Sequence, residues 1–131
     1  KVEFTVDIRS KNNDNINDIA NRMRAALDRE VKEMGGSYEI DTKLVITPVN
    51  LSQDMLKIME EGCKEHGYSY KYLPSGAGHD ALEIGQVLPT VMLFVPSKEG
   101  RSHCPVEFTK YSDFAKAATI MEELAEKLLS E

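Results

Sequence analysis

Val91-Met92-Leu93-Phe94-Val95, closed by Pro96, is one unbroken apolar run. Five apolar residues in a row, stopped by proline, fit a strand covered on both faces, as strands between two layers of helices are. Ser75-Gly76-Ala77-Gly78-His79-Asp80 lies before it and Ser102-His103-Cys104-Pro105-Val106-Glu107 after it. A glycine-rich turn with His and Asp, a buried strand and a second histidine loop form one wall of a ligand site in α/β architecture. Open sheets place their ligands beyond the carboxyl ends of the strands.

The pattern around this run supports the same grammar. Pro48-Val49-Asn50-Leu51 is the best boundary, and Ser52 then caps a helix whose inner face is Met55, Ile58, Met59 and Cys63, stopped at His66-Gly67. Tyr68, Tyr70 and Tyr72 alternate as a short strand, and a short helix is predicted from Asp80 to Gln86. Ser112 is placed to cap a last helix with the stripe Phe114, Ala117, Met121, Leu124 and Leu128. Upstream of the boundary, Val2, Phe4, Val6 and Ile8 alternate with Glu3, Thr5, Asp7 and Arg9. Asp14 or Asn15 offers an N-cap to a helix with the stripe Ile16, Ile19, Met23, Leu27, Val31 and Met34, ended by Gly35-Gly36. Tyr38, Ile40, Thr42, Leu44 and Ile46 alternate again. The expected fold class is therefore α/β: an α+β piece at residues 1–49, then an α/β piece at residues 50–131, with helices packed on a mixed sheet.

At 131 residues and 41% hydrophobic, the chain can form a core, so wholesale disorder is excluded. A net charge of −6 without a Lys/Arg-rich run speaks against nucleic acid and anionic membrane surfaces as partners. No apolar stretch approaches the ~20 residues that span a bilayer, and no basic-then-apolar leader opens the chain. Lys1 at the start reads as an excised piece. Cys63 and Cys104 fall in no metal spacing and read as two reduced thiols of a cytoplasmic protein.

Three sites carry candidate chemistry, each with a plainer alternative. Gly76-Ala77-Gly78 lets backbone N–H groups approach a ligand, and His79 and Asp80 open a helix whose N-terminus favours an anion; alternatively the glycines only make a tight turn. His103 suits a metal, with Glu107 near enough to orient its ring, or it is a surface-loop histidine. Arg9 is either a fork for a substrate carboxylate or a solvated partner of Asp7. His66, just before a helix-ending glycine, reads as structural.

Leu73–Ala81, Pro89–Ser97 and Gly100–Glu107, in this order, resemble the C-terminal part of the amidase/hydantoinase/carbamoylase family. That family comprises N-carbamoyl-L-amino-acid hydrolases, allantoate amidohydrolases and β-ureidopropionases, related to metal-dependent aminoacylases and dipeptidases. Phe4-Thr-Val-Asp-Ile-Arg9 is similar to a strand of the family's lid, or dimerisation, domain.

The resemblance implies a lid portion at 1–49 and the end of a zinc-peptidase-like catalytic domain at 50–131. It implies that His103 is one ligand of a centre of two divalent metals, zinc or manganese, and that Glu107 stands behind it. Gly78 would offer backbone contacts to substrate, His79 would lie beside the scissile group, and Arg9 would hold the substrate carboxylate. The implied substrate is a small N-carbamoyl amino acid or allantoate-like ureido acid, and the implied assembly is a homodimer. The family's His-x-Asp pair, adjacent glutamates and middle histidine are expected upstream of these residues. The chain by itself is therefore expected to be inactive and to bind no metal stably. A peptidase or deacylase of the same superfamily, and a non-catalytic dimerisation module, are the alternatives.

Overall fold

The computed structural model describes residues 1–130. Four α-helices are present: α1 (Asn13–Glu33), α2 (Gln53–Glu65), α3 (Asp80–Ile84) and α4 (Tyr111–Leu129), with a 3-10 turn at Lys98–Gly100. They divide between two compact units, Lys1–Val49 with Pro74–Gly78, and Asn50–Leu73 with His79–Glu131.

In the first unit, α1 begins at Asn12, whose side chain accepts the Asp14 N–H at 2.8 Å, so the cap lies two to three residues earlier than expected. The helix closes where the Met34 N–H reaches the Glu30 carbonyl and Gly35 takes a positive φ of 66°. Its apolar stripe is only half covered, and no α1 residue is fully buried. The Tyr38 hydroxyl donates to Asp28 at 2.7 Å, fastening the segment after the helix to its flank.

The second unit is built on α2 against α4. Ser52 accepts the Met55 N–H at 3.3 Å, and His66 and Gly67 end α2, both as expected. Met59 and Cys63 of α2 meet Ile120 and Leu124 of α4 in the only fully buried apolar cluster among the described residues. Met55, Ile58, Tyr68 and Val91 pack around it. A methyl group at Gly62 would sit 2.6 Å from Glu123 Oε2 and 3.2 Å from Ile120 Cδ1, so α4 approaches through the space this glycine leaves. Beside that approach His66 Nε2 lies 2.5 Å from Glu123 Oε1, and Lys127 reaches Glu61 at 3.3 Å. Tyr68 stacks on the His66 ring with centroids 5.2 Å apart.

The expected α/β class is overturned: the described residues contain helices and no β-strand. Residues 2–8, 38–46, 68–72 and 91–95 take neither form. Alternation in a sequence sets which side chains share a face, but a strand also needs a neighbouring backbone to receive its N–H and C=O groups. No such ladder forms; Tyr68, for example, donates its N–H to the Cys63 carbonyl at the end of α2. Helices close their hydrogen bonds within one segment, so all the predicted helices are present. The run Val91–Val95 is accordingly half open, with Phe94 50% exposed. Two helix boundaries also move. α3 ends at Ile84, and α4 starts after Lys110, one turn position ahead of Ser112, without a side-chain cap.

Tyr70 and Tyr72 share a face, as their spacing predicts, but that face is polar. Both hydroxyls donate to Glu60, at 2.6 and 2.7 Å, and Lys64 pairs with the same carboxylate at 2.7 Å. The lysine first, then the two hydroxyls, hold Glu60 down from an ordinary 4.5 to about 2. A depressed carboxylate stabilises the fold fully above its unfolded value, and the contribution fades as pH falls from about 4.5 through about 2.

Two outcomes follow from this architecture. Leu124→Ala should destabilise the second unit by about 2–4 kcal/mol in urea denaturation, whereas Phe114→Ala, on the exposed part of the same helix, should cost less than about 1 kcal/mol. Thermal midpoints should fall between pH 5 and pH 2.5, and Glu60→Gln should flatten that decline while leaving a lower plateau above pH 5.

Candidate functional site

The Arg9 guanidinium joins the first segment to the glycine-rich turn within the first unit. Its Nε donates to Asp7 Oδ1 at 3.0 Å and Oδ2 at 3.1 Å, and its Nη2 to Asp7 Oδ2 at 2.6 Å. Its Nη1 donates to the Gly76 carbonyl at 2.7 Å. Alternation makes the Asp7 contact possible, because residues i and i+2 of an extended pattern share a face. The bonds from Arg9 lower the Asp7 carboxyl below its ordinary value, and the same bonds raise Arg9. Both side chains are exposed, at 61% for Arg9 and 65% for Asp7, so the pair orients more than it stabilises.

The turn itself is shaped by Ser75, whose Oγ accepts the Ala77 N–H at 3.3 Å. Neither Gly76 nor Gly78 has a positive φ, and a Cβ on either would meet nothing within 4 Å. The local fold therefore does not require glycine at these two positions, and the space over the turn is open.

In the second unit, His79 is the N-cap residue of α3 and lies edge-on to Phe94, with ring centroids 5.6 Å apart. His103 sits in an exposed loop with φ at +56°, a region that residues with a Cβ seldom adopt. Glu107 Oε2 accepts the His103 backbone N–H at 2.7 Å, and the Glu107 N–H reaches the Cys104 carbonyl at 3.0 Å. Glu107 thus holds the main chain of the histidine loop, a bond that residue types alone did not reveal. Pro105 gives a partial hint, since the residue before a proline is conformationally restricted.

No group of three or more His, Cys, Asp or Glu residues among those described is placed to hold a metal ion. Catalytic zinc takes about three protein ligands. His103 offers one nitrogen, so the residues present do not fit a two-metal centre by themselves. Both cysteines are free thiols. Burial, then the Glu123 charge, pushes Cys63 up, which makes it a poor nucleophile. His66 is structural, as expected: it closes α2 and pairs with Glu123, although that partner was not legible in the sequence. Among the described residues no helix is long and apolar enough to cross a membrane.

The chain is similar to known proteins over most of its length. The chain is 31% identical to an N-carbamoyl-L-amino-acid amidohydrolase of Paenarthrobacter aurescens, over 92% of the chain and 29% of that protein. It is 33% identical to an allantoate amidohydrolase of Bacillus subtilis, over 98% of the chain and 31% of that protein. An allantoate amidohydrolase of Escherichia coli is 34% identical over 88% of the chain and 28% of its own length. The chain thus spans under a third of the length of these curated relatives. The sequence profile of peptidase family M20/M25/M40 matches residues 3–127, nearly the whole chain, and the chain belongs to that family.

Proposed function

We propose that this chain is the C-terminal part of a metal-dependent hydrolase that cleaves carbamoyl or ureido C–N bonds of small amino-acid-derived substrates. The similarity to N-carbamoyl-L-amino-acid and allantoate amidohydrolases over most of the chain carries the reading. In this reading residues 1–49 belong to a lid and 50–131 to the catalytic domain. Arg9 holds the substrate carboxylate, because a guanidinium presents planar, paired donors to a carboxylate. Gly78 gives main-chain contacts in the open space over the turn, and His79 lies near the scissile group. His103 contributes one nitrogen to a centre of two zinc or manganese ions whose other ligands come from outside these residues. Glu107 steadies the loop that carries it. A bound metal pair would polarise the scissile carbonyl and supply hydroxide at neutral pH.

The same proposal includes a cytoplasmic homodimer. Val2, Phe4, Leu44 and Val45 are 70% or more exposed, which suits burial against further protein. A second reading, a peptidase of the same family, is favoured by the family's description alone.

With Zn²⁺ or Mn²⁺, the 131-residue chain should hydrolyse N-carbamoyl amino acids no faster than the metal blank. The full-length protein that carries it should turn over N-carbamoyl acids or allantoate in preference to dipeptides, and light scattering on that preparation should give a dimer mass. Preference for dipeptides would replace the carbamoyl reading with the peptidase one, and measurable turnover by the chain alone would remove the requirement for outside ligands. Gly78→Ala separates a ligand role from a structural one. It should leave the thermal midpoint of the chain unchanged or slightly raised, yet raise the KM of the full-length enzyme several-fold; an unchanged KM would leave the glycine without a substrate role.

A further inference from the structure

The Asp7 carboxylate and the Gly76 carbonyl both act on one guanidinium, and their positions on it are not equivalent. Asp7 takes the side edge of Arg9, formed by Nε and Nη2, while Gly76 takes one N–H of Nη1. A guanidinium has five N–H donors. The three directions in use leave one N–H on Nη1 and one on Nη2. Asp7 Oδ2 receives both Nε and Nη2, so the remaining Nη2 hydrogen points away from that edge, toward the end fork. A carboxylate approaching the end of the side chain can therefore accept that Nη2 hydrogen without displacing Asp7.

We propose that Asp7 is a positioning residue: with the Gly76 carbonyl it fixes the plane of the Arg9 guanidinium so that its outward Nη2 N–H meets the carboxylate of an incoming acid. This rests on the assignment of Arg9 to the substrate carboxylate, and it adds the device that makes an exposed, flexible side chain directional. Arg9 would otherwise lose rotamer freedom at the moment of binding. The bond to Gly76 also ties Arg9 to the glycine-rich turn that carries Gly78. A negative charge beside the pocket weakens the attraction for an anion, and the orientation gained outweighs that loss because both Asp7 and Arg9 remain in water, where charge interactions are screened.

The 131-residue chain, labelled with ¹⁵N, can be titrated with N-carbamoyl-alanine and with N-ethylurea, its counterpart without the carboxylate, while the Arg9 Nε–H resonance is followed by NMR. The acid should shift that resonance saturably and N-ethylurea should not. Asp7→Asn should weaken the binding by about fivefold to tenfold, and Asp7→Glu should recover most of it. Binding by Asp7→Asn as tight as in the parent chain, or tighter, would overturn the proposal, the latter showing that Asp7 competes with the acid. Absence of any saturable shift in the parent chain would overturn it too. Failure of the full-length protein to hydrolyse ureido acids would instead count against the proposed reaction, and a carboxylate site dependent on Asp7 would stand without it.

Discussion

Ile120 and Leu124 of α4 lie on Met59 and Cys63 of α2, and the helices can meet so closely because residue 62 has no side chain. Two further segments of the second unit pack against that contact. Tyr68 leaves the end of α2 through a bond to the Cys63 carbonyl and returns to cover the cluster, and Val91 closes another side of it. The cluster is small, so polar contacts at its rim carry an unusual share of the orientation. His66 with Glu123 and Lys127 with Glu61 set how α4 lies along α2, while Glu60 gathers two tyrosine hydroxyls from the segment that follows. Such exposed pairs contribute little stability each. Their value is directional.

The first unit depends on a knot of a different kind. Its helix buries no residue fully, and its N-terminal segment is tied to the glycine-rich turn by one guanidinium. The residue that ties the segment down is also the one suited to hold an acid. In the proposed reading structural and ligand-binding roles coincide in Arg9, beside the open space above Gly76 and Gly78. Membership of peptidase family M20/M25/M40 gives this arrangement a chemical context, and its relatives include N-carbamoyl-L-amino-acid and allantoate amidohydrolases. The chain covers under a third of the length of those relatives.

Helices were legible because their information is local. The stripe Met55, Ile58, Met59 and Cys63, the Ser52 cap and the His66-Gly67 stop all act within a few residues, and α2 has those limits. The cap of α4 was misread because Ser112 suits an N-cap by residue type, whereas the helix has already begun at Tyr111. The stripe Phe114, Ala117, Met121, Leu124 and Leu128 includes Leu124 of the face that meets α2 but not Ile120, the most buried side chain of α4. Among the site residues, the Asp7–Arg9 pair was visible as one of two alternatives, because its partners are two positions apart. The bond from Arg9 to Gly76 spans 67 residues and had no local signal.

The sequence by itself determined the helices and the motifs that carry family membership, and offered the pairing of Asp7 with Arg9 as one of two alternatives, all of which depend on neighbours along the chain. Tertiary structure decided that the alternating runs form no sheet, that Tyr70 and Tyr72 face Glu60 rather than a core, and that Glu107 grips the backbone of His103. The reason is the same in each case. A helix satisfies its backbone from within, but a strand, a buried face or a side chain's partner exists only if some distant segment arrives to supply the other half of the contact.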